Sequence, residues 1–231
     1  MNKKTHLTGL MHDSKWARIV DLITGAWVIT HQKNRLNNTA SHPLLSFSGA
    51  LAMNTGFGLE PFEDARDERA HQIIVAHLAQ ASPAEQLCFV QRSNYDDNAR
   101  ALRWLADRPE TDRAAILAMY WNLGADWLMQ FAAKADVPDY ERASWQFCRL
   151  LEARYTSGFY PHAAVYFNPY ETDGTYPFEY DNITRQRETP PAMLETIAGE
   201  QHVDVDADFP DYDEGLPLAV AEAVWALYDK D

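Results

Sequence analysis

Helical spacing dominates the pattern of apolar and polar positions along this chain. Pro61 opens a segment with acidic first turns at Glu63 and Asp64, as the helix dipole prefers, and Ile73, Ile74, His77, Leu78 and Ala81 share one face of it. Ser82 reads as the cap of a second helix beginning at Pro83, with Glu85 three residues after the cap. Asp96 or Asp97 is the expected cap of a third, which carries Ala101, Leu102 and Leu105 and breaks at Arg108-Pro109. Pro109-Glu110-Thr111-Asp112 is the plainest helix entry. It leads to a stripe of Ile116, Leu117, Tyr120 and Trp121 that stops near Gly124. After a bend, Trp127, Leu128 and Phe131 continue as far as Val137-Pro138. Tyr140 to Tyr155 then puts Phe147, Cys148, Leu151 and Tyr155 on one face, ended by Gly158. A last helix is expected from Leu216 to Tyr228, with Leu218, Ala221, Val224, Trp225 and Tyr228 turned inward.

The pattern changes at residues 160–190. Ala164-Val165-Tyr166-Phe167 reads as a short strand inside a long loop with seven aromatics between Tyr160 and Tyr180. Loops of this length inside a compact domain are usually functional or disordered, and aromatic richness argues against disorder. Elsewhere the connections are short, which favours antiparallel neighbours packed as helical hairpins. Asn94-Tyr95-Asp96-Asp97 and Asp211-Tyr212-Asp213-Glu214 look alike and each is expected to open a helix, so a degenerate helical repeat is an alternative. The expected fold is mostly α: a single helical domain over 1–231 with minor β. Within it, 1–55 forms an N-terminal helix and irregular segment, 85–170 a core, 160–190 the long loop, and 200–231 an acidic loop and C-terminal helix.

Composition adds mainly a sign of charge. At 46% hydrophobic residues the chain of 231 is too apolar to be disordered. Lys and Arg number 20 against 34 Asp and Glu, a net charge of −14. A field of that sign repels phosphate backbones and anionic lipid and attracts basic partners, so neither a nucleic-acid nor a membrane partner is expected. Cys88 and Cys148 form no CxxC pattern and lie in apolar helical surroundings, which favours a reducing, cytoplasmic setting. The apolar run from Ile19 to Ile29 is interrupted by Asp21 and crowded by Lys15 and Arg18. It is too short to span a bilayer and reads as a buried helix.

A resemblance becomes visible in the middle of the chain. Asn94-Tyr95-Asp96-Asp97, Ala101-Leu102, the run Arg108 to Leu117 and Tyr120-Trp121 resemble the core of a bacterial domain-of-unknown-function family. Its signature runs Asn-Trp-Asp-Asp-Gly-Phe, a short helix, His-Pro-x-Cys-Asp, then a helix rich in Ala, Leu and aromatics. Trp145-Gln146-Phe147-Cys148 and Gly158-Phe159-Tyr160-Pro161 fit the continuation, so the resemblance covers roughly 85–170. Tyr95 stands where the family has Trp, Asn98-Ala99 where it has Gly-Phe, and Thr111 where it has Cys. Tyr212-Asp213-Glu214-Gly215-Leu216-Pro217 is nearer to the signature than the central copy. In size and acidity such families resemble the immunity proteins encoded beside Rhs or type VI secreted toxins. The resemblance brings no catalytic residue and no cofactor with it.

Tests for chemistry return little. His71 and His77 share a helix but, six residues apart, lie on different faces, unlike an i, i+4 zinc pair, and His77 reads as a hydrogen-bonded core residue. Ser46-Phe47-Ser48-Gly49 lacks the first glycine of a nucleophile elbow, and Gly49, Gly56 and Gly58 make no phosphate-cradling loop. The pointed feature is the run from Glu200 to Glu214, which holds seven acids and no Lys or Arg. From Pro191 to the last residue there are eleven acids and one lysine, so most of the net charge is concentrated there. Asp204, Asp206 and Asp208 imitate a calcium loop, but Phe209 replaces the glycine at position six and Gly215 the glutamate at position twelve.

Such a run ordinarily serves only solubility. The sharper expectation is a docking surface for a basic protein, with Asp204, Asp206, Asp208, Asp211, Asp213 and Glu214 supplying charge. Phe209, Tyr212, Tyr176 and Tyr180 would supply the aromatic contacts that charge alone lacks. Together with the resemblance this points to an immunity or antitoxin protein, without catalysis, cofactor or metal, that occludes a basic toxin. The alternatives are a helical scaffold module, and an enzyme using Glu63, Asp64 or Glu68 with His71.

Overall fold

The computed structural model describes residues 56–171, 177, 180 and 182–229, which fall in one compact unit. The helix expected at Ile19–Ile29 and the aromatic contact at Tyr176 lie outside the described residues. The architecture is mostly α. Seven α-helices are seen among the described residues: α1 (Ala65–Leu78), α2 (Pro83–Arg92), α3 (Ala99–Ala106), α4 (Arg113–Asn122), α5 (Ala125–Leu128), α6 (Arg142–Thr156) and α7 (Leu218–Trp225). A two-stranded antiparallel ribbon, β1 (Tyr212–Asp213) and β2 (Leu216–Pro217), leads into α7.

Helix α4 is the centre. Every residue from Ala114 to Trp121 is buried, so the apolar stripe read from the sequence is an apolar cylinder. A helix hydrophobic all round must be enclosed on all sides. Here α2 packs along it most extensively and α6 covers another side. The polar tips of its two aromatics are matched: Tyr120 donates to Glu152 Oε1 at 2.9 Å and the Trp121 indole to the Met193 carbonyl at 3.2 Å. Packing runs between helices that are not chain neighbours, with α1 against α3 and α7, and α4 against α6.

The start of α4 shows what Thr111 and Asp112 do. The Thr111 hydroxyl donates to the Leu105 carbonyl at 2.7 Å, tying the end of α3 to the start of α4. Asp112, 1% exposed, accepts from the Ala114 amide at 2.9 Å as the N-cap and from the Ala164 amide at 2.6 Å with its other oxygen. The Arg113 amide donates to the His162 carbonyl at 2.8 Å. One carboxylate therefore caps the central helix and pins the 160s segment beside it. That segment forms isolated bridges, Val165 to Gln201 and Phe167 to Ile197, rather than the short strand the sequence suggests.

Two buried acids anchor the far end of the loop. Asp126, at the start of α5, takes Arg185 in a two-pronged pair with both oxygens 2.8 Å from Nη2, and accepts from the Tyr180 amide at 3.0 Å. Glu152 of α6 holds Arg149 and, at 3.3 Å, Arg187. The pairs Asp126–Arg185 and Glu152–Arg187 span dozens of residues and leave no trace in local spacing.

Other expectations are corrected. The cap of α3 is Asn98, which makes no side-chain cap bond; Asp96 and Asp97 instead belong to the preceding turn. Helix α1 begins four residues after Pro61, where Asp64 and Asp67 form a reciprocal capping box. The buried His77 Nε2 has no hydrogen-bond partner among the described residues. Asp211 to Glu214 enters a hairpin, not a helix, so the two similar tetrapeptides do not mark a repeat. The last helix ends at Trp225, short of Tyr228, and in it only Ala221 is buried; Leu218 and Trp225 are 43% and 44% exposed, because α1 covers one side, and Tyr228 beyond the helix is 44% exposed.

Replacing Asp112 with alanine removes the cap and strands the Ala164 amide. The expected cost is about 2–4 kcal/mol, with Asp112→Asn losing less because one acceptor remains. Urea unfolding measures it, and an unchanged midpoint would show that the carboxylate is dispensable.

Candidate functional site

A cleft of about 740 Å³ among the described residues has three walls. One is Glu60 to Glu63 with α1, which contributes Asp67 and His71. The second is the entry to α3, with Asp96, Asp97 and Arg100. The third is the β1–β2 turn and α7, with Asp213, Glu214, Leu216, Val224, Trp225 and Tyr228. Against seven carboxylates Arg100 is the one permanent cation among these lining residues. Its guanidinium lies 3.8 Å from the centre of the Phe62 ring. His71 adds no steady charge, because burial first, and then Arg100, push its pKa down.

The turn carries the acids into the cleft by a strained route. Glu214 and Gly215 have φ of 47° and 78°, the two positive values of a type I′ hairpin turn. Gly215 suits its place doubly, since a Cβ there would stand 2.4 Å from the Phe89 Cα. Glu214 is the one non-glycine residue with positive φ among the described residues, in a conformation that asparagine adopts more readily. Burial, followed by the carboxylates of Asp213 and Asp97, raises its pKa. Three acids thus crowd one corner, with Asp97 held at 2.6 Å by the Asn94 amide. Strain and like charge retained together at an open cleft are a common sign of a functional position.

The acidic loop reaches this position by wrapping a cation. Arg92, in the last turn of α2, donates to the carbonyls of Val205 at 3.3 Å, Phe209 at 3.1 Å and Tyr212 at 2.9 Å. Tyr212 also donates to Glu85 Oε1 at 2.9 Å, and burial, then Glu85, push its hydroxyl up to about 12. Phe209 packs edge-on against Tyr212 with centroids 4.8 Å apart. These two aromatics therefore hold the loop down, both half-buried. Within the loop Asp204 accepts from the Asp206 and Ala207 amides, and Asp208 from the Asp204 amide at 3.0 Å. Asp206, Asp211 and Asp213 stand exposed.

The sequence-predicted site residues accordingly divide. Asp213 and Glu214 enter the cleft; Asp204 and Asp208 shape the loop outside it. Tyr180 packs on Trp127, with centroids 5.7 Å apart, and does not line the cleft. Glu60, Asp67, Asp96, Asp97, Trp225 and Tyr228 are site residues that sequence reasoning missed. The signal for the four acids was a second acidic concentration between 60 and 68 and an Asp-Asp pair, which also read as helix starts. Of the carboxylate–histidine alternative, Glu63 and His71 do line the cleft, though no hydrogen bond joins them among the described residues. Asp64 is spent on its cap and Arg66, and Glu68 faces away on α1 toward Gln72.

Both cysteines are buried and free; burial pushes Cys88 up to about 11 and raises Cys148 as well, so neither is a ready nucleophile. Among the described residues no three His, Cys, Asp or Glu side chains gather to hold a metal ion, and no helix is long and apolar enough to cross a membrane.

Residues 81–156 match the model of a family described as a domain of unknown function, DUF4274. No curated protein and no solved structure matches the chain. The matched stretch is α2 to α6, the central helix and its enclosure. Two of the cleft's three walls, and the whole acidic loop, lie outside it.

Glu214→Asn should remove about 1 kcal/mol of left-handed backbone strain and raise the melting temperature by about 2–4 °C at neutral pH. A carboxylate with a raised folded pKa destabilises while ionised, and protonation relieves it as pH falls through that value, so the gain should shrink in acid. A lower melting temperature for the variant at neutral pH would refute the strain.

Proposed function

We propose that this protein binds a basic protein through its acidic face, as an immunity or antitoxin protein that occludes a cognate secreted toxin. The observation that carries the reading is the cleft, where seven carboxylates line a cavity with one permanent cation and two exposed aromatics. Acidic residues alone serve solubility; acids around exposed rings in a concave site provide both steering and contact area. The exposed Asp206 and Asp211 extend the same field beyond the cleft. The toxin-directed form of the reading rests on the resemblance of the core and on its acidity, and it involves no catalysis and no cofactor.

Affinity capture from the native host, repeated at low and high salt, tests the reading. A basic partner should be retained at low salt and weakened at high salt, and its activity should be inhibited by stoichiometric addition of this protein. The double variant Asp206→Lys, Asp211→Lys should slow association about 10-fold or more without changing the melting temperature, because neither side chain makes an internal bond among the described residues. An unchanged association rate would remove the acidic loop from recognition.

A further inference from the structure

We infer that the cleft takes an arginine side chain of the basic partner, inserted between the Trp225 ring and the carboxylates of the β1–β2 turn. This rests on the reading of the acidic face as a protein-docking surface and names what the surface grips. The protein already uses the same chemistry internally, with the Arg100 guanidinium over the Phe62 ring at 3.8 Å inside this cleft and Arg66 5.8 Å from the Tyr228 ring. Two of the three cleft rings therefore carry a guanidinium of the chain itself. Trp225, 44% exposed in the third wall, carries none among the described residues.

Charge selects the same ligand. Asp97, Asp213 and Glu214 share a corner in which like charges lie close enough to disturb one another, while the lining cation Arg100 is engaged with Phe62. A cation entering there offsets the repulsion among these carboxylates. Arginine suits the site better than lysine, because its planar, weakly hydrated guanidinium stacks on indole and meets a carboxylate with two parallel donors. The cleft volume, about 740 Å³, accommodates a side chain together with the short stretch of backbone that carries it. A partner segment of exposed, arginine-bearing loop therefore fits both the shape and the sign of the site.

The test is calorimetric titration of the full chain with a capped peptide of sequence Gly-Ser-Arg-Gly-Ser-Arg-Gly, its lysine and citrulline analogues, and arginine amide. The arginine peptide should bind, with affinity reduced about 3- to 10-fold for lysine and at least about 10-fold for citrulline. Trp225→Ala and Glu214→Gln should each weaken the arginine peptide about 5- to 20-fold. Both positions are exposed, and melting temperatures confirm that the variants fold. No binding of the arginine peptide, equal binding of the citrulline peptide, or unaltered binding by both variants overturns the inference. Arginine amide binding as tightly as the peptide would assign the cleft to a small cation and overturn it too. The captured partner separates the two proposals. Retention by Trp225→Ala and Glu214→Gln but loss with Asp206→Lys, Asp211→Lys leaves the docking surface and removes the arginine pocket. Retention by all of them removes both.

Discussion

A helix enclosed on every side has no solvent to satisfy its first amides, so its ends must be closed by the protein itself. In α4 the His162 carbonyl takes the Arg113 amide, and the buried carboxylate of Asp112 shares its two oxygens between the Ala114 amide within the helix and the Ala164 amide of a distant segment. The other elements take their places from this arrangement. The loop after α6 is held against the core at Ala164, α3 is tied on through Thr111, and α2 packs along the helix so closed. Because α2 is fixed, its last turn presents Arg92 in one position, and three carbonyls of the acidic loop gather on that guanidinium. The β1–β2 turn and α7 follow from there, completing the third wall of the cleft.

This chain of dependence explains which features were readable in the sequence. Caps and stops act over three or four residues, and those at Ser82 with Glu85, at Asp112 and at Gly158 were found where they were expected. The mostly helical class followed from them. The hairpin at Tyr212–Pro217 was not anticipated, because its turn uses Glu-Gly rather than the usual Asn-Gly, and acids before an apolar run imitate a helix start. The exposure of Trp225 was missed although one residue of the helix marked it. Glu222, the sole polar side chain of α7, lies four residues after Leu218 and three before Trp225, so the three share the open face while α1 covers the other side.

The site was half visible for a related reason. A contiguous run such as Glu200–Glu214 announces itself, whereas a cleft assembled from Glu60–Asp67, Asp96–Asp97 and Asp213–Glu214 exists only after folding. The run itself divides on folding into residues that shape the loop, Asp204 and Asp208, and residues that face outward or into the cleft. The aromatics expected to meet a partner, Phe209 and Tyr212, fasten the loop, and the rings left open are Trp225 at the end of α7 and Tyr228 just beyond it. The family-matched core supplies the platform, and the segments flanking it supply two walls and most of the charge around the cleft.

The measurement that most directly tests the account is hydrogen–deuterium exchange on the full chain, alone and saturated with the captured basic partner. The account predicts protection on complex formation at residues 60–63, 96–100 and 213–228 together, since these form one concave surface. Protection confined to other segments, such as 185–194, or none at these three walls, would contradict it.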